Sequence, residues 1–428
     1  MAEREEILKY LETEFCDAVR DPIWKHIYLT PAFAELISLA PFQDLHDIRQ
    51  LGPAYLVYPG ATHTRFAHSL GTFHLAQRII RNLVSRAERL PFSLYGVKAY
   101  LAAALLHDVG HYPFAHALKN LGLLEHERLT ARLVQEDPLA TVLRESLCIN
   151  PSDVAGIVDI SQPLTLDSEI AFFRKLLSGV LDPDKLDYLN RDAYFCGVPY
   201  GIQDVDFFLE EIVLDREDGF QMTAKGITAV ENILFSKYLM YKTVYWHKTV
   251  RIATAMIKKA LLLALADAVI APDDLYLLTD RLLLEMVHTI SYPPFKLIEN
   301  VFRRSLYKQV ASIDFNPRRE SHRFLAQRDF CLLKEQEIAQ ELSKLVGRKV
   351  LNEEVIIDLP EEISFELDLK IVKGLQVIPF RQTRNVFTAN SVLGVAENLR
   401  HLRLAVAPAE DLIAASKNLV NELEMFKP

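Results

Sequence analysis

The chain has 428 residues and a mass of 48.8 kDa; half of it is apolar, a quarter is charged, and Gly and Pro together number 35. That usage excludes a disordered, collagenous or low-complexity chain and leaves room for two or three domains of about 150 residues each. A formal net charge of −9 argues against a general nucleic-acid coat, and the widely spaced Cys16, Cys148, Cys196 and Cys331 form no Cys-x-x-Cys pair, which fits a reducing cytosol and speaks against a disulfide framework. The most apolar run, from Ala260 to Ala271, is interrupted by Asp267 and is too short for a membrane span, and Met1-Ala-Glu-Arg-Glu-Glu has no apolar core of the secretory kind. The expectation is a cytoplasmic protein without a membrane segment.

In chain order, Thr30-Pro31 supplies an N-cap and a first-turn proline, and Pro41 closes a short helix. A second helix is predicted from Arg65 to about Arg86. A third starts near Ser93, with Val97, Leu101, Ala104 and Leu105 at helical spacing, and stops by Gly110. Asp182-Pro183 starts another. Residues 227–271 contain no Gly or Pro and predict one long helix or two in tandem. Lys349 to Leu359 and Ile363 to Ile378 alternate in the manner of strands, with Val355-Ile356-Ile357 and Leu375-Gln376-Val377-Ile378 at their centres. Ala409 to Phe426 reads as a closing amphipathic helix. The composition changes near 335–350, so the prediction is a mainly α protein with a small C-terminal α+β part.

Seven of the 13 histidines (His63, His68, His74, His107, His111, His116, His126) lie between positions 63 and 126. Asp108, eleven residues after Val97, returns to the apolar stripe of its helix, and a buried carboxylate needs a partner or a metal. His107 precedes it, and His111 lies within one turn if the helix persists. Arg65 and His68 stand at another helix start, where a guanidinium suits a phosphate and an imidazole suits a metal. Asp184, Tyr188 and Asp192 share one face of the helix begun by Asp182, whereas Leu186, Leu189 and Ala193 define another. Two imidazoles and two carboxylates from separate helices make a mixed nitrogen/oxygen site suited to Mn, Fe, Co, Ni or Zn rather than Mg. Such an ion leaves positions for water and a phosphoryl oxygen. His26 and His74 are assigned ordinary polar contacts; His288, His322 and His401 suggest no partners.

The order His68, His107-Asp108, Asp184 resembles the metal signature of the HD-domain phosphohydrolases. The stretches Tyr58-Pro59-Gly60-Ala61-Thr62-His63-Thr64-Arg65-Phe66-Ala67-His68-Ser69-Leu70-Gly71, Glu125-His126-Glu127 and Asp184-Lys185-Leu186-Asp187-Tyr188 are similar to its deoxynucleoside triphosphate triphosphohydrolase branch, as are Asp21-Pro22-Ile23 and Gln50-Leu51-Gly52. The resemblance implies an HD-domain helical core in which His68, His107, Asp108 and Asp184 hold one divalent transition metal, with Mg accompanying the triphosphate. It implies that His111 and His126 flank the water and phosphates and that His116 is the acid for the leaving 5′-oxygen. Arg65 would contact the α-phosphate, and Lys185 and Tyr188 the outer phosphates. Gln50 and Asp192 would bind the sugar 3′-hydroxyl, Leu51 would lie under the ring, and Tyr245 would crowd the 2′ position. The implied reaction is attack of water on the α-phosphorus, giving deoxynucleoside and tripolyphosphate.

Lys237 and Tyr241 stand one face with Tyr245, where the family often has Arg and His, so the bidentate arginine grip on the triphosphate is lost. Asp44 and His46 replace arginines of activated relatives, which argues against dGTP activation, and no SAM domain is expected before the core. The expected division is 1–60, an N-terminal helical and extended segment; 61–200, the metal-binding core; 201–340, a helical extension; and 341–428, the α+β subdomain. A homo-oligomer is expected, acting on a deoxynucleotide, with no membrane or nucleic-acid partner. The competing readings are an HD nucleotide phosphomonoesterase or phosphodiesterase, an HD-type oxygenase, and a non-catalytic nucleotide sensor.

Overall fold

Thr30, Ser93 and Asp182 each accept the backbone N–H of the residue three positions on. They start helices over Pro31–Ser38, Leu94–Leu106 and Pro183–Cys196, with Pro31 and Pro183 in the first turn where a missing N–H costs nothing. These are features of a computed structural model that describes residues 2–164, 168–363, 365, 368–387 and 399–427, without the side chain of Asn120. The protein is mainly α, as predicted: 58 % is helical, in 18 helices among the described residues. No described helix is long and apolar enough to cross a membrane.

The Leu94–Leu106 helix is apolar nearly all round and lies at the centre of the main core. The Arg65–Arg86 helix packs on it and on Pro183–Cys196, whose Leu186, Leu189 and Ala193 are buried, while Phe73 meets Phe33 of Pro31–Ser38. Between 227 and 271 the chain forms two helices in tandem, Ile227–Met240 and Lys248–Ala266. They are joined by a wide turn over Tyr241–Tyr245, in which Trp246 N–H reaches back five residues to the Tyr241 carbonyl at 2.9 Å. A second core gathers around Ile252, Met256, Ala260 and Leu261, with Leu262 and Leu265 partly buried against it.

The strands depart further from the sequence reading. β1 (Asp17–Asp21) and β2 (Lys25–Leu29) form an N-terminal hairpin. β3 (Ile212–Asp215) and β4 (Gly219–Thr223) form another inside the stretch expected to be helical, because Asp215 to Gly219 is a turn between two short apolar runs. β5 (Lys308–Asp314) pairs with β9 (His401–Val406), which also pairs with β6 (Val355–Asp358), giving the order β5-β9-β6. The α+β part therefore draws its first strand from before residue 341, and the Arg328–Val346 helix runs across that division. Ile363 to Ile378 is not one strand: β7 (Lys370–Lys373) and β8 (Gln376–Pro379) turn over Gly374, whose φ of +63° suits glycine. β7 lies parallel to β4, completing β3-β4-β7-β8. The closing helix is shorter than predicted, Glu410–Leu419.

Lys259 and Glu335, each 3 % exposed, join Lys248–Ala266 to the Arg328–Val346 helix by an ion pair. Asn352 Oδ1 also accepts from Lys259 at 3.0 Å, and Glu335 Oε1 accepts the Ile357 N–H at 2.7 Å. Lys259→Met leaves a buried carboxylate without its counter-charge and is expected to lower unfolding free energy by about 3–5 kcal/mol. Adding Glu335→Gln, which keeps the acceptor for Ile357, should restore most of that loss in a urea titration. Equal stability of the single variant and the parent would contradict this account.

Candidate metal centre and its cavity

Two helix boundaries create the centre. Arg65 begins its helix where its own N–H donates to the Ile48 carbonyl at 3.0 Å, and Gln50 N–H donates to the His63 carbonyl at 3.0 Å. This short pairing fixes Gln50 beside the His63–His68 turn. The Leu94–Leu106 helix ends at Leu106, earlier than predicted, and His107 to Gly110 turn away from its axis. Gly110 is required there: a Cβ would overlap Thr130 N and the His126 carbonyl, since the His126–Leu133 helix packs directly on the turn. Thr130 Oγ1 accepts from Gly110 N–H and donates to the His107 carbonyl, both at 2.9 Å. His111 thus stays near Asp108 through a turn and not through a continued helix.

His68, His107, Asp108 and Asp184 converge. His68 Nε2 is 2.9 Å from Asp184 Oδ1 and 3.9 Å from Asp108 Oδ2; His107 Nε2 is 3.8 Å from Asp184 Oδ1 and 3.6 Å from Asp108 Oδ1. Donor atoms sharing one cation at about 2.1 Å lie roughly 3–4 Å apart, so these separations fit a single ion. The hydrogen bonding fits as well. His107 Nδ1 donates to the Ala104 carbonyl at 2.9 Å, which leaves the Nε2 lone pair facing the cluster, and that buried Nε2 has no hydrogen-bond partner among the described residues. His68 bonds through Nδ1 to Asp187 Oδ2 at 2.8 Å and likewise presents Nε2.

Asp108 is 3 % exposed and takes Arg65 Nη1 at 2.6 Å. Burial alone would raise its pKa, but Arg65 with His107, His111 and His68 holds it well below the carboxylate range. Its Oδ1 faces His111 at 3.6 Å and His126 at 4.0 Å. The rings of His111 and His126 stack with centroids 3.9 Å apart, and His116 stands 4.8 Å from His111. Burial, with the charge of Arg65 and neighbouring imidazoles, keeps His111 and His126 well below the usual histidine value, so both are neutral at pH 7.

A cavity of about 990 Å³ opens from this centre. Gln50, Leu51, Arg65, His68, His107, Asp108, His116, His126, Asp184, Lys185, Tyr188, Asp192, Tyr241 and Tyr245 line it. His111 lies behind this lining, and Lys237 is placed elsewhere, its ammonium 5.5 Å from the ring centroid of Phe365. Asp192 accepts from Tyr245 O–H at 2.6 Å and pairs with His63 Nε2 at 2.8 Å. Lys185 Nζ donates to Asp182 Oδ2 at 2.7 Å and to the Gly179 carbonyl at 2.8 Å. Gln50 Oε1 is buried without a hydrogen-bond partner among the described residues.

The sequence assigns no role to His63, Asp187, Arg191 or Thr130: Asp187 and Arg191 pair with each other at i, i+4, a spacing that could have been read, while their other partners and those of His63 and Thr130 lie 20 or more residues away. The histidine cluster was a signal for His63 only. Of the remaining histidines, His26 contacts Arg20, His74 stacks on Trp24, and His322 accepts from Asn316 N–H and bonds the Met425 carbonyl. His401 pairs with Asp314 at 2.9 Å.

Residues 65–159 match the HD domain and residues 204–402 match the HD associated region. The uncharacterized protein MJ1154 of Methanocaldococcus jannaschii is 34 % identical over 307 residues, covering 70 % of this chain and 61 % of that protein. A Dictyostelium discoideum protein named deoxynucleoside triphosphate triphosphohydrolase SAMHD1 homolog is 27 % identical, covering 79 % of this chain and 66 % of its own length. The chain thus spans about three fifths to two thirds of these two relatives. The crystal structure of a hypothetical protein from Aquifex aeolicus superposes with a TM-score of 0.70 at 26 % identity, covering 94 % of this chain and 99 % of that one.

His107→Ala gives a cleaner test of the centre than Asp108→Ala, which would also leave Arg65 buried without its counter-ion. His107→Ala loses one hydrogen bond, worth about 1 kcal/mol. Added Mn2+ or Co2+ is expected to raise the melting temperature of the parent and not of this variant. Equal stabilisation of both proteins would remove His107 from the ligand set.

Proposed function

We propose that this HD-domain protein is a metal-dependent phosphohydrolase that cleaves deoxynucleoside triphosphates into deoxynucleoside and tripolyphosphate. One observation carries the reading: the four donor side chains and the Gln50–Asp192–Tyr245 group face the same cavity. The name of the Dictyostelium relative agrees with it. His68, His107, Asp108 and Asp184 would hold a divalent transition metal, which would supply Lewis acidity toward a phosphoryl group, and the triphosphate would bring Mg as its counter-ion.

The chain's own groups supply the rest. Arg65, already 2.6 Å from Asp108, has four further N–H donors for an α-phosphate oxygen. Lys185 turns from Asp182 to the outer phosphates, beside Tyr188. Gln50 Oε1, unpaired and buried, accepts the 3′-hydroxyl, and Asp192 keeps lone pairs for the same group after binding Tyr245 and His63. Leu51 supports the sugar ring. Neutral His126, backed by the stacked ring of His111, receives a proton from the attacking water. His116, pushed down to a pKa of about 3 by desolvation and Arg65 and so also neutral, stands with its ring centroid 5.1 Å from that of His126 and passes that proton on to the departing 5′-oxygen. The bond between the α-phosphorus and that oxygen breaks, and both products leave intact. Tyr245, anchored on Asp192, closes the space a 2′-hydroxyl would need. Tyr241, on the cavity wall, is a further triphosphate contact in this reading, whereas Lys237, expected beside it, lies off the cavity and takes no part. The enzyme acts in the cytoplasm as a homo-oligomer on free nucleotides.

Product chromatography with the metal-loaded protein should show tripolyphosphate and deoxynucleoside from the dNTPs, with far slower turnover of NTPs and monophosphates. Orthophosphate as the sole inorganic product would identify a phosphomonoesterase instead. Asp108→Ala is expected to abolish both bound metal and turnover while retaining the helical circular-dichroism signal. Tyr245→Ala should bring ribonucleotide turnover within roughly tenfold of the deoxy rate, since a methyl-sized steric discrimination is worth about 1–3 kcal/mol. Unaltered selectivity would place the 2′ discrimination elsewhere.

A further inference from the structure

We infer that the N-terminal β1–β2 hairpin is a working part of the metal centre: through Trp24, Asp21 and Arg191 it fixes the carboxylate of Asp187, which fixes the ring of His68. The inference rests on the metal site proposed above. Asp187 is fully buried, and its two oxygens meet four donors. Oδ2 takes His68 Nδ1 and Arg191 Nε, each at 2.8 Å; Oδ1 takes Arg191 Nη2 at 2.9 Å and Trp24 Nε1 at 2.5 Å. A carboxylate has about four lone-pair sites, so this one is saturated and has no freedom to rotate.

Arg191, also fully buried, passes the constraint outward. Its Nη1 donates to Asp21 Oδ2 at 2.9 Å, and Asp21 Oδ1 accepts the Ile23 and Trp24 N–H groups, both at 2.9 Å, at the tip of the hairpin. The Trp24 indole is stacked on His74, from the same helix as His68, with ring centroids 5.9 Å apart. Gly71, one turn after His68, completes the fit: a Cβ there would overlap Asp187 Oδ1 and Arg191 Nη2.

Fastening a hairpin to a helix by a buried ion pair needs one carboxylate and one guanidinium. Here Asp21 and Asp187 share the single Arg191, and the second carboxylate charge faces the ring of His68, whose Nδ1 is 2.8 Å from Asp187 Oδ2 and whose Nε2 is 2.9 Å from Asp184 Oδ1. A buried carboxylate needs a cationic partner close by, and among the described residues only the His68 ring, with whatever binds its Nε2, is placed to supply it; that nitrogen faces the position where the metal would sit. A carboxylate on the far nitrogen of a metal-bound imidazole fixes its tautomer and raises its basicity, and losing one typically weakens metal binding by roughly 10–100-fold. Asp187, Arg191, Trp24 and Asp21 are therefore positioning residues.

The test uses the full-length protein and Co2+ alone as probe, with affinity read by chelator competition and coordination by the visible absorption of the bound ion. Asp187→Asn should bind Co2+ roughly 10–100-fold more weakly. Trp24→Phe, which keeps the ring on His74 and deletes one N–H, should weaken binding by a smaller factor and alter the spectrum. A structural tie alone would lower the melting temperature of both variants and leave Co2+ affinity and spectrum as in the parent; that result overturns the inference. If Asp187→Asn does not fold, Trp24→Phe decides. His68→Ala separates the two levels. If it retains parental Co2+ binding, or if the parent binds none, the metal-site reading fails and this inference with it. If His68→Ala loses the ion while Trp24→Phe and Asp187→Asn keep it, only the role of the hairpin is lost.

Discussion

The carboxylate of Asp108 is nearly enclosed in protein, where an ionised group survives only if other charges meet it. Arg65 does so at 2.6 Å, and four imidazoles surround it: those of His107 and His111 at 3.6 Å, His68 at 3.9 Å and His126 at 4.0 Å. That one requirement accounts for much of the local architecture. The helix before it stops at Leu106 so that the turn can present both His107 and Asp108 inward. Gly110 lets the next helix approach closely enough to deliver His126, and Thr130 fastens the two together. Replacing any of these contacts leaves a buried charge or an unpaired donor, so the site and the stability of the core are not separable here.

The same economy governs the cations. Arg65 and Lys185 both line the cavity beside the centre, and each is engaged by a carboxylate of the protein, Asp108 and Asp182 respectively. Burial raises the pKa of Asp182 to about 6, against the pull of Lys185. A phosphate entering the cavity therefore exchanges one anionic partner for another and does not meet bare positive charge. This makes binding depend on geometry: a guanidinium can bridge a carboxylate and a phosphoryl oxygen at once, whereas an ammonium must choose or divide its donors. Neutral His111 and His126 add proton-exchanging groups without adding charge.

What could be read in the sequence was local. The caps at Thr30, Ser93 and Asp182 are decided by the residue and its next three neighbours, and the Asp184–Tyr188–Asp192 stripe by helical period alone; all of them stand where expected. Features that depend on a distant partner were invisible. The end of the Leu94–Leu106 helix is set by packing of residues 126–130, and β5 exists because β9, almost a hundred residues later, offers it an edge. β3 and β4 are four and five residues long, too short for alternation to outweigh the helical reading around them. Asp187 carried no role in the sequence reading, since two of its partners, Trp24 and His68, lie 163 and 119 residues away.

The wide turn at Tyr241–Tyr245 sets an aromatic wall of the cavity in register with the Pro183–Cys196 helix. In a continuous α-helix, Tyr245 and Trp246 would point about 100° apart. The turn lets Tyr241, Tyr245 and Trp246 all line the cavity, with the Tyr241 ring edge-on to the other two at 4.9 and 5.4 Å. The disturbed backbone is satisfied from outside: Tyr58 O–H donates to the Thr243 carbonyl at 2.7 Å. Tyr245 then bonds Asp192, two helical turns beyond Asp184 on Pro183–Cys196. One helix thus carries Asp184 at one end and Asp192, the anchor of Tyr245, about 12 Å of helix axis further on. In the function proposed above, that fixed length would couple selectivity to chemistry, since a sugar displaced by a clash with Tyr245 would carry its phosphate away from the centre.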